Sequence, residues 1–227
     1  MNEDEREAAK RRAGEAAVER VEDGMVVGLG SGSTAAHAID ALGEAVEDGL
    51  LVEGVPTSYQ AAERARSADI PLRTLPAVSA IDVALDGADQ VVDGDLIKGG
   101  GGSHTREKLV DTAAMEFVVV VDATKHANRL DAPIPIEILP DARGTVATSV
   151  ERLGGRPTLR AATAKSGPVV TDNGNLIIDA AFGELANPGG VAATLSGLPG
   201  VVDHGLFVNL ADVIVTGTAS GVDIETL

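Results

Sequence analysis

The 227-residue chain contains no cysteine and no tryptophan, and aromatic residues make up only 2% of it. Without cysteine there can be no disulfide and no zinc–thiolate site, and the core must be built from Ala, Val, Leu and Ile. No apolar run reaches the ~18 residues that would span a bilayer. The charged N-terminus MNEDEREAAKRRAGEAAVERVEDG does not resemble a secretory signal. We therefore expect a soluble cytoplasmic protein without a membrane partner.

Basic residues are also scarce, since 18 Lys and Arg stand against 35 Asp and Glu, which gives a formal net charge of -17. A field of this sign repels nucleic acid and anionic membranes, which bind basic patches, so we expect neither partner. The composition fits any acidic soluble protein. Adaptation to high salt is the sharper interpretation, because counterions screen the self-repulsion that loosens such a chain in dilute buffer.

Short apolar segments alternate with helical patterns along the first part of the chain. MVVGLG (25–30) and FVVVVDATK (117–125) are typical of buried strands. SGSTAAHAIDALGEAV (31–46) has helical periodicity, with Ser33 or Thr34 as a natural N-cap. Strands that alternate with helices predict right-handed crossovers and a parallel sheet with helices on both faces.

The pattern changes in the later part of the chain. A Pro-spaced strand, a helix, a strand, a hairpin at the DNG of 172–174, a second helix and a further strand follow one another. This order predicts a small ferredoxin-like unit. We therefore predict an α/β fold. It has a doubly wound, mostly parallel, Rossmann-like catalytic domain (residues 1–130 and 210–227) and a smaller α+β ferredoxin-like lid domain (residues 131–209).

The loop GLGSGST (28–34) joins a predicted strand to a predicted helix through glycines and hydroxyl residues. Backbone N–H groups and the helix dipole would face an anion there, which favours a phosphate site. A dinucleotide site is an alternative, because Gly28 and Gly30 form G-x-G and Glu53 follows at the distance of a ribose-binding acid. The third glycine of that pattern is replaced by Ser33, however. Close packing of helix on strand is the remaining alternative.

A second glycine run lies within DGADQVVDGDLIKGGGGSHTREK (86–108). Asp86 and Lys98 end predicted strands, Asp89 lies one turn later, and a helix carrying Glu107 begins beyond four glycines whose amides we expect to be exposed. Ligand crevices of α/β sheets lie at the carboxyl ends of the strands. Capping, turn formation or a surface salt bridge would explain each residue alone. Together they favour proton transfer on an anionic substrate.

Other ionisable residues give weaker signals. Lys125 ends the FVVVVDATK segment and is either a phosphate counter-charge or a solvated lysine. The histidines show no ligand spacing with acids or with one another, and no Ser-His-Asp arrangement or G-x-S-x-G elbow appears. We therefore predict no metal site. The four histidines are His37, His104, His126 and His204.

Several blocks together resemble one enzyme family. The blocks are GLGSGSTAAHAI, TSYQAA, LDGADQ, LIKGGGGSHTREK, VDATK, PIPIEILP and TDNGNLIID. In the same order, they are similar to blocks of the type A ribose-5-phosphate isomerases over nearly the whole chain. The resemblance implies an aldose–ketose isomerase that interconverts D-ribose 5-phosphate and D-ribulose 5-phosphate through a cis-enediol(ate), in the non-oxidative pentose phosphate pathway. It implies no metal or organic cofactor, and it agrees with the predicted fold.

The resemblance also implies roles for individual residues. Glu107 matches the base that moves the proton between C2 and C1, and Lys98 matches the cation near the developing enediolate. Asp86 and Asp89 match acids that handle ring opening and hydroxyl protons. The residues implied in substrate binding are Ser31, Gly32, Ser33, Thr34, Asp86, Gly87, Ala88, Asp89, Lys98, Gly99, Gly100, Gly101 and Lys125.

The chain departs from the family pattern at two places. Gln90 stands where the family usually has Glu, a change that we expect to alter hydrogen bonding beside the site without loss of activity. Lys10 and Arg11 stand where the family often has two adjacent lysines, which leaves the phosphate contact there open.

Oligomeric state and rival functions rest on the resemblance as well. The family is usually dimeric or tetrameric, so a homodimer or homotetramer is implied. A non-enzymatic sugar-phosphate sensor is one alternative, but no basic output module is present in the sequence. A related enzyme, such as an amino-sugar phosphate deaminase or a CoA transferase, is another. The combination of DGAD, IKGGGG and TREK argues against both enzymes.

Overall fold

The computed structural model describes residues 1–227, and the chain divides into two compact units. The first unit consists of Met1–Ala88, Arg106–His126 and Leu210–Leu227. The second consists of Asp89–Thr105 and Ala127–Asn209. These units differ from the predicted domain division mainly in residues 89–105, which group with the second unit. The predicted domain boundaries themselves stay a prediction.

The chain forms six α-helices, three short 3-10 helices and thirteen strands. The helices are α1 (Glu3–Val18), α2 (Ser33–Glu47), α3 (Tyr59–Ser67), α4 (His104–Asp111), α5 (Arg143–Arg152) and α6 (Pro188–Ser196). The strands are β1 (Val26–Leu29), β2 (Glu53–Pro56), β3 (Ile81–Gly87), β4 (Gln90–Val92), β5 (Asp95–Ile97), β6 (Ala114–Asp122), β7 (Ile134–Ile138), β8 (Arg156–Leu159), β9 (Leu176–Ala181), β10 (Val201–His204), β11 (Leu206–Phe207), β12 (Val213–Gly217) and β13 (Val222–Thr226).

The first unit is built on a six-stranded sheet with the order β13-β12-β6-β3-β1-β2, in which only β13 is antiparallel. Its strands are continuous aliphatic runs such as FVVVV of β6, as expected for strands buried on both faces. Alanines of α1, among them Ala13 and Ala17, pack against valines of the sheet in one core cluster. The predicted α/β fold class is confirmed, and the carboxyl ends of β1, β3 and β6 carry the predicted site loops.

The second unit contains a four-stranded antiparallel sheet with the order β10-β7-β9-β8. Along the chain its elements run β7-α5-β8-β9-α6-β10, which is the predicted ferredoxin-like order. Its core is rich in isoleucine from β7 and β9. A three-stranded sheet, β11-β5-β4, completes the unit.

Several predicted local elements differ from those observed. The apolar pattern of residues 71–75 predicts a strand, but the structure has only one bridge there, between Leu72 and Gly54, because Pro71 has no N–H for a ladder. Before the DNG turn, the first strand of the predicted hairpin is likewise a single bridge at Val170. The pattern of residues 105–115 predicts a helix as far as Met115, but α4 ends at Asp111, since β6 begins at Ala114. Strands β4 and β13 were not predicted.

The helices have no membrane-spanning candidate. None of them combines the length and the apolar character that crossing a bilayer requires.

Candidate active site

In the first unit, the loop after β1 lies against the carboxyl group that ends β3. Asp86 is fully buried, and its Oδ1 accepts hydrogen bonds from the backbone N–H of Ser31 (3.1 Å) and of Gly87 (2.6 Å). A Cβ atom on Gly30 would overlap the Asp86 carboxyl group. Glycine is therefore required at position 30, because the backbone passes directly over the predicted catalytic acid.

Two hydroxyl residues that sequence reasoning did not assign support the same loop. Ser31 Oγ lies 2.8 Å from Thr57 Oγ1 and 2.7 Å from Ser58 Oγ, and both partners are buried. Ser58 also caps α3, because its Oγ accepts the N–H of Ala61. The signal was present in the TSYQAA block as Thr-Ser before a helix, but their contact with Ser31 depends on the parallel pairing of β1 with β2.

The N-terminus of α2 is capped differently from the prediction. Gly32, with φ 98°, is the N-cap residue, and Ser33 and Thr34 are the first residues of the helix. No side chain caps this end, and no acidic residue lies in its first turn. The N–H groups of the first turn and the positive end of the helix dipole therefore remain suited to an anion.

Two lysines of the first unit differ in their surroundings. Lys125 is half-buried at the end of the turn that follows β6. Lys10 is 7% exposed and pairs with Glu7 at 2.6 Å, and Glu7 in turn lies 3.1 Å from His37 Nε2. The hydrogen bonds from Lys10 and His37 lower the pKa of Glu7. Arg11 is exposed, so Lys10 is the buried member of the Lys10–Arg11 pair.

In the second unit, the glycine run makes more internal hydrogen bonds than expected. The Gly100 N–H donates to Asp89 Oδ2 at 2.7 Å, and the Gly102 N–H donates to the Gly99 carbonyl at 3.0 Å. The expectation that all four glycines expose their amides is therefore wrong for Gly100 and Gly102. The Gly100 amide instead orients the exposed carboxylate of Asp89.

Lys98 directly follows β5 and is buried. It is 2% exposed, its ammonium lies 5.2 Å from the centroid of the Phe207 ring, and its N–H donates to the Gly205 carbonyl. The next residue, Gly99, has φ 99°, and a Cβ there would lie 2.7 Å from Nδ1 of the buried His104. A side chain at 99 would be both strained and crowded, so this turn requires glycine.

The family departure at position 90 has a local partner. Gln90 Oε1 accepts the N–H groups of Asp131 and Ala132, and its Nε2 donates to Asp131 Oδ1 at 2.6 Å. A glutamate could not donate to a carboxylate, because an ionised carboxylate only accepts hydrogen bonds. The amide at 90 is therefore matched to Asp131.

Two charged groups of the second unit were missed by sequence reasoning. Arg160 donates to both carboxylate oxygens of Asp179 and to the carbonyls of Gly99 and Gly100. Each of these residues, taken singly in the sequence, looks like ordinary strand or loop polarity. Only the register of β8 with β9 brings Arg160 and Asp179 together.

The second missed group is Glu137, a fully buried carboxylate and the fourth residue of β7. Burial raises the pKa of Glu137, but hydrogen bonds from four side chains outweigh it and leave the pKa below its ordinary value. The donors are Thr105, Asn175, Asn173 and Thr171. The TDNGN block is thus the support of a buried anion as well as a turn.

Glu107, the predicted base, lies in the first turn of α4 and is only 4% exposed. It follows Thr105 by two residues in the same helix. A carboxylate placed in this way, largely removed from bulk water, is suited to general base catalysis.

Comparison with known proteins gives these features a family. The model of the family described as ribose 5-phosphate isomerase A (phosphoriboisomerase A) matches residues 53–221. This chain belongs to the ribose 5-phosphate isomerase A family. The predicted family and its aldose–ketose isomerase activity are confirmed, and the sensor and deaminase alternatives are not favoured.

Curated members of the ribose 5-phosphate isomerase A family match along nearly the whole chain. Ribose-5-phosphate isomerase A of Natronomonas pharaonis is 63% identical over 219 residues, which cover 96% of this chain and 97% of that one. The enzyme of Haloarcula marismortui is 58% identical over 221 residues, with 97% and 96% covered. These relatives come from halophiles, which fits the acidic composition.

Solved structures of the same family are similar over their full length. A D-ribose-5-phosphate isomerase in complex with phospho-erythronic acid has a TM-score of 0.96 at 41% identity, with 100% of both chains covered. Ribose 5-phosphate isomerase A of Methanocaldococcus jannaschii has a TM-score of 0.94 at 43% identity, again with 100% of both chains covered.

Proposed function

We propose that this isomerase interconverts D-ribose 5-phosphate and D-ribulose 5-phosphate. The reaction moves one proton between C2 and C1 of the open-chain sugar and needs no net oxidant. The proton leaves C2, its electron pair forms the C1–C2 double bond, and the carbonyl π electrons become an oxyanion on O1. Transfer of the O2 proton to O1 makes C2–O2 the new carbonyl, and return of the first proton to C1 completes the ketose. The family membership of the chain supports this substrate and reaction.

In this proposal Glu107 is the base that accepts the C2 proton and returns it at C1. Its burial at the start of α4 supports the assignment and is the observation on which the mechanism chiefly depends. A single carboxylate can serve both steps, because the proton that it accepts is the one that it later donates. Substrate must reach the buried carboxylate by displacing water, which also limits proton exchange with solvent.

Lys98 supplies the positive charge for the enediolate oxyanion. Its buried ammonium meets the developing charge without first having to be stripped of bulk water, and such preorganised donors are commonly worth about 3–4 kcal/mol. A structurally similar isomerase binds phospho-erythronic acid, a ligand that carries a carboxylate and a phosphate. The carboxylate of such a ligand resembles the enediolate in charge, which supports one cationic site for each end of the substrate.

Asp86 and Asp89 act on hydroxyl protons during ring opening. Both have a carboxylate oxygen oriented by a backbone amide, since Asp86 accepts from Ser31 and Asp89 accepts from Gly100. An ionised carboxylate held in a fixed orientation is suited to accept a hydrogen bond from a sugar hydroxyl.

The phosphate group binds at the N-terminus of α2, with Ser31–Thr34 as donors and Lys125 as counter-charge. The absence of a side-chain cap at this helix end supports the assignment, because its N–H groups need an acceptor. Lys10 is a second candidate for this charge, since its buried position next to Glu7 fixes it in place. Phosphate binding holds the remote, unreactive end of the sugar and so positions the reacting carbons.

A coupled assay tests the proposed substrate. Purified protein in molar KCl is given ribose 5-phosphate, ribulose 5-phosphate or glucosamine 6-phosphate, and product formation is followed. We expect turnover in both directions with the pentose phosphates and none with the amino sugar phosphate. Turnover of glucosamine 6-phosphate alone would contradict the proposal.

Assembly and location form the last part of the proposal. We propose a cytoplasmic homodimer or homotetramer, as the family resemblance implies. Light scattering coupled to size exclusion in molar KCl gives the mass directly, and a monomer of 23.0 kDa would contradict the proposed assembly.

A further inference from the structure

Arg160 lies at the junction of three groups in the second unit. Its side chain is 16% exposed, and it forms a two-point ion pair with Asp179, which is 27% exposed. The guanidinium Nη1 also donates to the carbonyl oxygens of Gly99 (2.9 Å) and Gly100 (3.0 Å). A surface ion pair would leave these carbonyls to water, so the arrangement holds the glycine run and not only Asp179.

The Gly99–Gly100 peptide group connects Arg160 with Asp89. The carbonyl of Gly99 and the N–H of Gly100 belong to one planar peptide unit. Its oxygen accepts from Arg160, and its N–H donates to Asp89 Oδ2 at 2.7 Å. The peptide dipole therefore has its negative end at a cation and its positive end at a carboxylate, so each contact strengthens the other.

We propose that Arg160 is a positioning residue for the isomerase reaction: it fixes the Gly99–Gly100 peptide and, through that peptide, the orientation of the Asp89 carboxylate. Asp179 fixes Arg160 in turn. This inference rests on the proposed function, because it takes Asp89 to be the acid that handles a sugar hydroxyl proton. Arg160 itself need not touch substrate.

The chemistry explains why an arginine is used at this position. A guanidinium carries donors on three nitrogens in one plane, so it can bind a carboxylate with two of them and peptide oxygens with the third. A lysine ammonium has the same charge but cannot span both partners in a fixed plane. Glutamine keeps part of the side-chain length and loses the charge.

The test compares Arg160→Gln and Arg160→Lys with a matched control, Arg156→Gln, which removes an exposed arginine from the start of the neighbouring strand β8. Steady-state kinetics with ribose 5-phosphate are measured in molar KCl, beside thermal unfolding in the same buffer. We expect R160Q to lower kcat by about 10- to 100-fold with KM changed by less than about threefold, since displacement of a catalytic group by 1 Å can cost 10²-fold. R160K should recover only a small part of the loss, and R156Q should behave as wild type.

A double-mutant cycle with Asp89→Asn distinguishes positioning from a general structural role. If Arg160 acts through Asp89, the losses in kcat are not additive. Adding R160Q to the D89N variant then lowers kcat by less than about threefold further. Full additivity, or a kcat of R160Q within twofold of wild type, would overturn the inference. If R160Q does not fold, R160K is carried through the same cycle with the same criteria.

The proposed function fails in a different way from this inference. Wild-type protein without turnover of pentose phosphates would contradict the substrate, and D89N with full activity would contradict the role of Asp89. Both results are read without any Arg160 variant. Addition of guanidinium ion at millimolar concentration to Arg160→Ala gives an independent measurement, because a rise in kcat of about fivefold or more supports the contact with the peptide oxygens, and no rise counts against it.

Discussion

Each of the two compact units contains a glycine-rich loop, and the neighbours of the two loops differ in charge. In the first unit, the side chain of Ser31 lies among neutral hydroxyls, its backbone N–H donates to the Asp86 carboxylate, and the following helix end has no cap. In the second unit, the Gly99–Gly100 peptide lies between a guanidinium and a carboxylate. Because no side chain caps the N-terminus of α2, the positive end of its helix dipole is available to an anion. Charged support fixes individual peptide groups and the side chains that they contact.

The difference matches the two kinds of group that a sugar phosphate presents. Its phosphate keeps its charge throughout the reaction, and in the proposed site a fixed dipole, hydroxyl donors and one counter-charge bind it. The reacting carbons gain and lose charge, so their acids and cation must be held in one orientation. The predictions below break or sharpen this contrast, from the largest expected effect to the smallest.

Glu107→Gln tests the proposed base, which follows the glycine run at 99–102, and it has the largest expected effect. An amide cannot accept the C2 proton, so we expect kcat to fall by about 10³-fold with little change in KM, within the range for loss of a general base. Steady-state kinetics in both directions measure this. The control is Glu151→Gln, which removes an exposed carboxylate from α5. Near-normal turnover of E107Q would refute the assignment.

Gly30→Ala tests the loop at 28–34 where its backbone passes over Asp86. The added methyl group would overlap the carboxyl group, so Asp86 and the loop must move, and we expect kcat to fall by about 10²-fold. Gly144→Ala in α5 is the control, because nothing lies within 4 Å of the Cβ that it adds. Equal activity of the two variants, both folded by circular dichroism, would show that the close approach at Gly30 has no catalytic consequence.

Glu137→Gln tests the buried anion that contacts the start of α4. The pKa of Glu137 is lowered in the folded state, so its stabilising contribution is present above the ordinary pKa of 4.5 and is lost as pH falls below it. We expect E137Q to lose about 2–3 kcal/mol at pH 7, because buried donors lose their acceptor.

Thermal unfolding in molar KCl at several pH values measures this loss. The melting temperature at pH 7 should fall by about 5–10 °C, and the gap to wild type should narrow below pH 4.5. The exposed control E151Q should stay within about 0.5 kcal/mol. A gap that is independent of pH would mean that shape, and not charge, is what Glu137 contributes.

Lys125→Gln tests the positive charge that we assign to the phosphate site at the loop 28–34. Removal of a charge that meets phosphate equally in ground and transition states should raise KM by about tenfold and change kcat by less than about threefold. Lys165→Gln, at an exposed position of the second unit, is the matched control. An unchanged KM would remove Lys125 from the phosphate site.

Gln90→Glu restores the residue usual in the family and has the smallest expected effect. It places a carboxylate against Asp131, so we expect a loss of about 1 kcal/mol in the free energy of unfolding. Adding Asp131→Asn should restore the lost stability, because an amide at position 131 can donate to the carboxylate at position 90. Gln60→Glu, at the other glutamine of the chain, controls for the charge. No rescue in the double variant would contradict the pairing.

The sequence predicted the features that depend on neighbours along the chain. The strand-to-helix loop at 28–34 and the acid at the end of β3 follow from local pattern, and Glu107 followed from a family block. The supports of these residues depend on strand register instead. Arg160 and Asp179 are 19 residues apart, and their pairing follows from the alignment of β8 with β9.

Glu137 gives the same lesson from a different signal. Its position in a strand of alternating Pro and Ile predicts burial, but the donors that make burial tolerable come from segments 32–38 residues away. A composition of charged and amide residues does not reveal which of them meet. The helix N-cap at Gly32 was missed for a local reason, because glycine at that position competes with the hydroxyl residues that follow it.

The interleaving of the two units has a consequence for any attempt to cut the protein apart. The chain leaves the first unit after Ala88, returns at Arg106, leaves again after His126 and returns at Leu210. Strand β11 belongs to the second excursion, and its partner β5 belongs to the first. Removal of either segment alone would leave β5 or β11 without its hydrogen-bonded partner strand. The second unit therefore cannot be transplanted as one continuous segment.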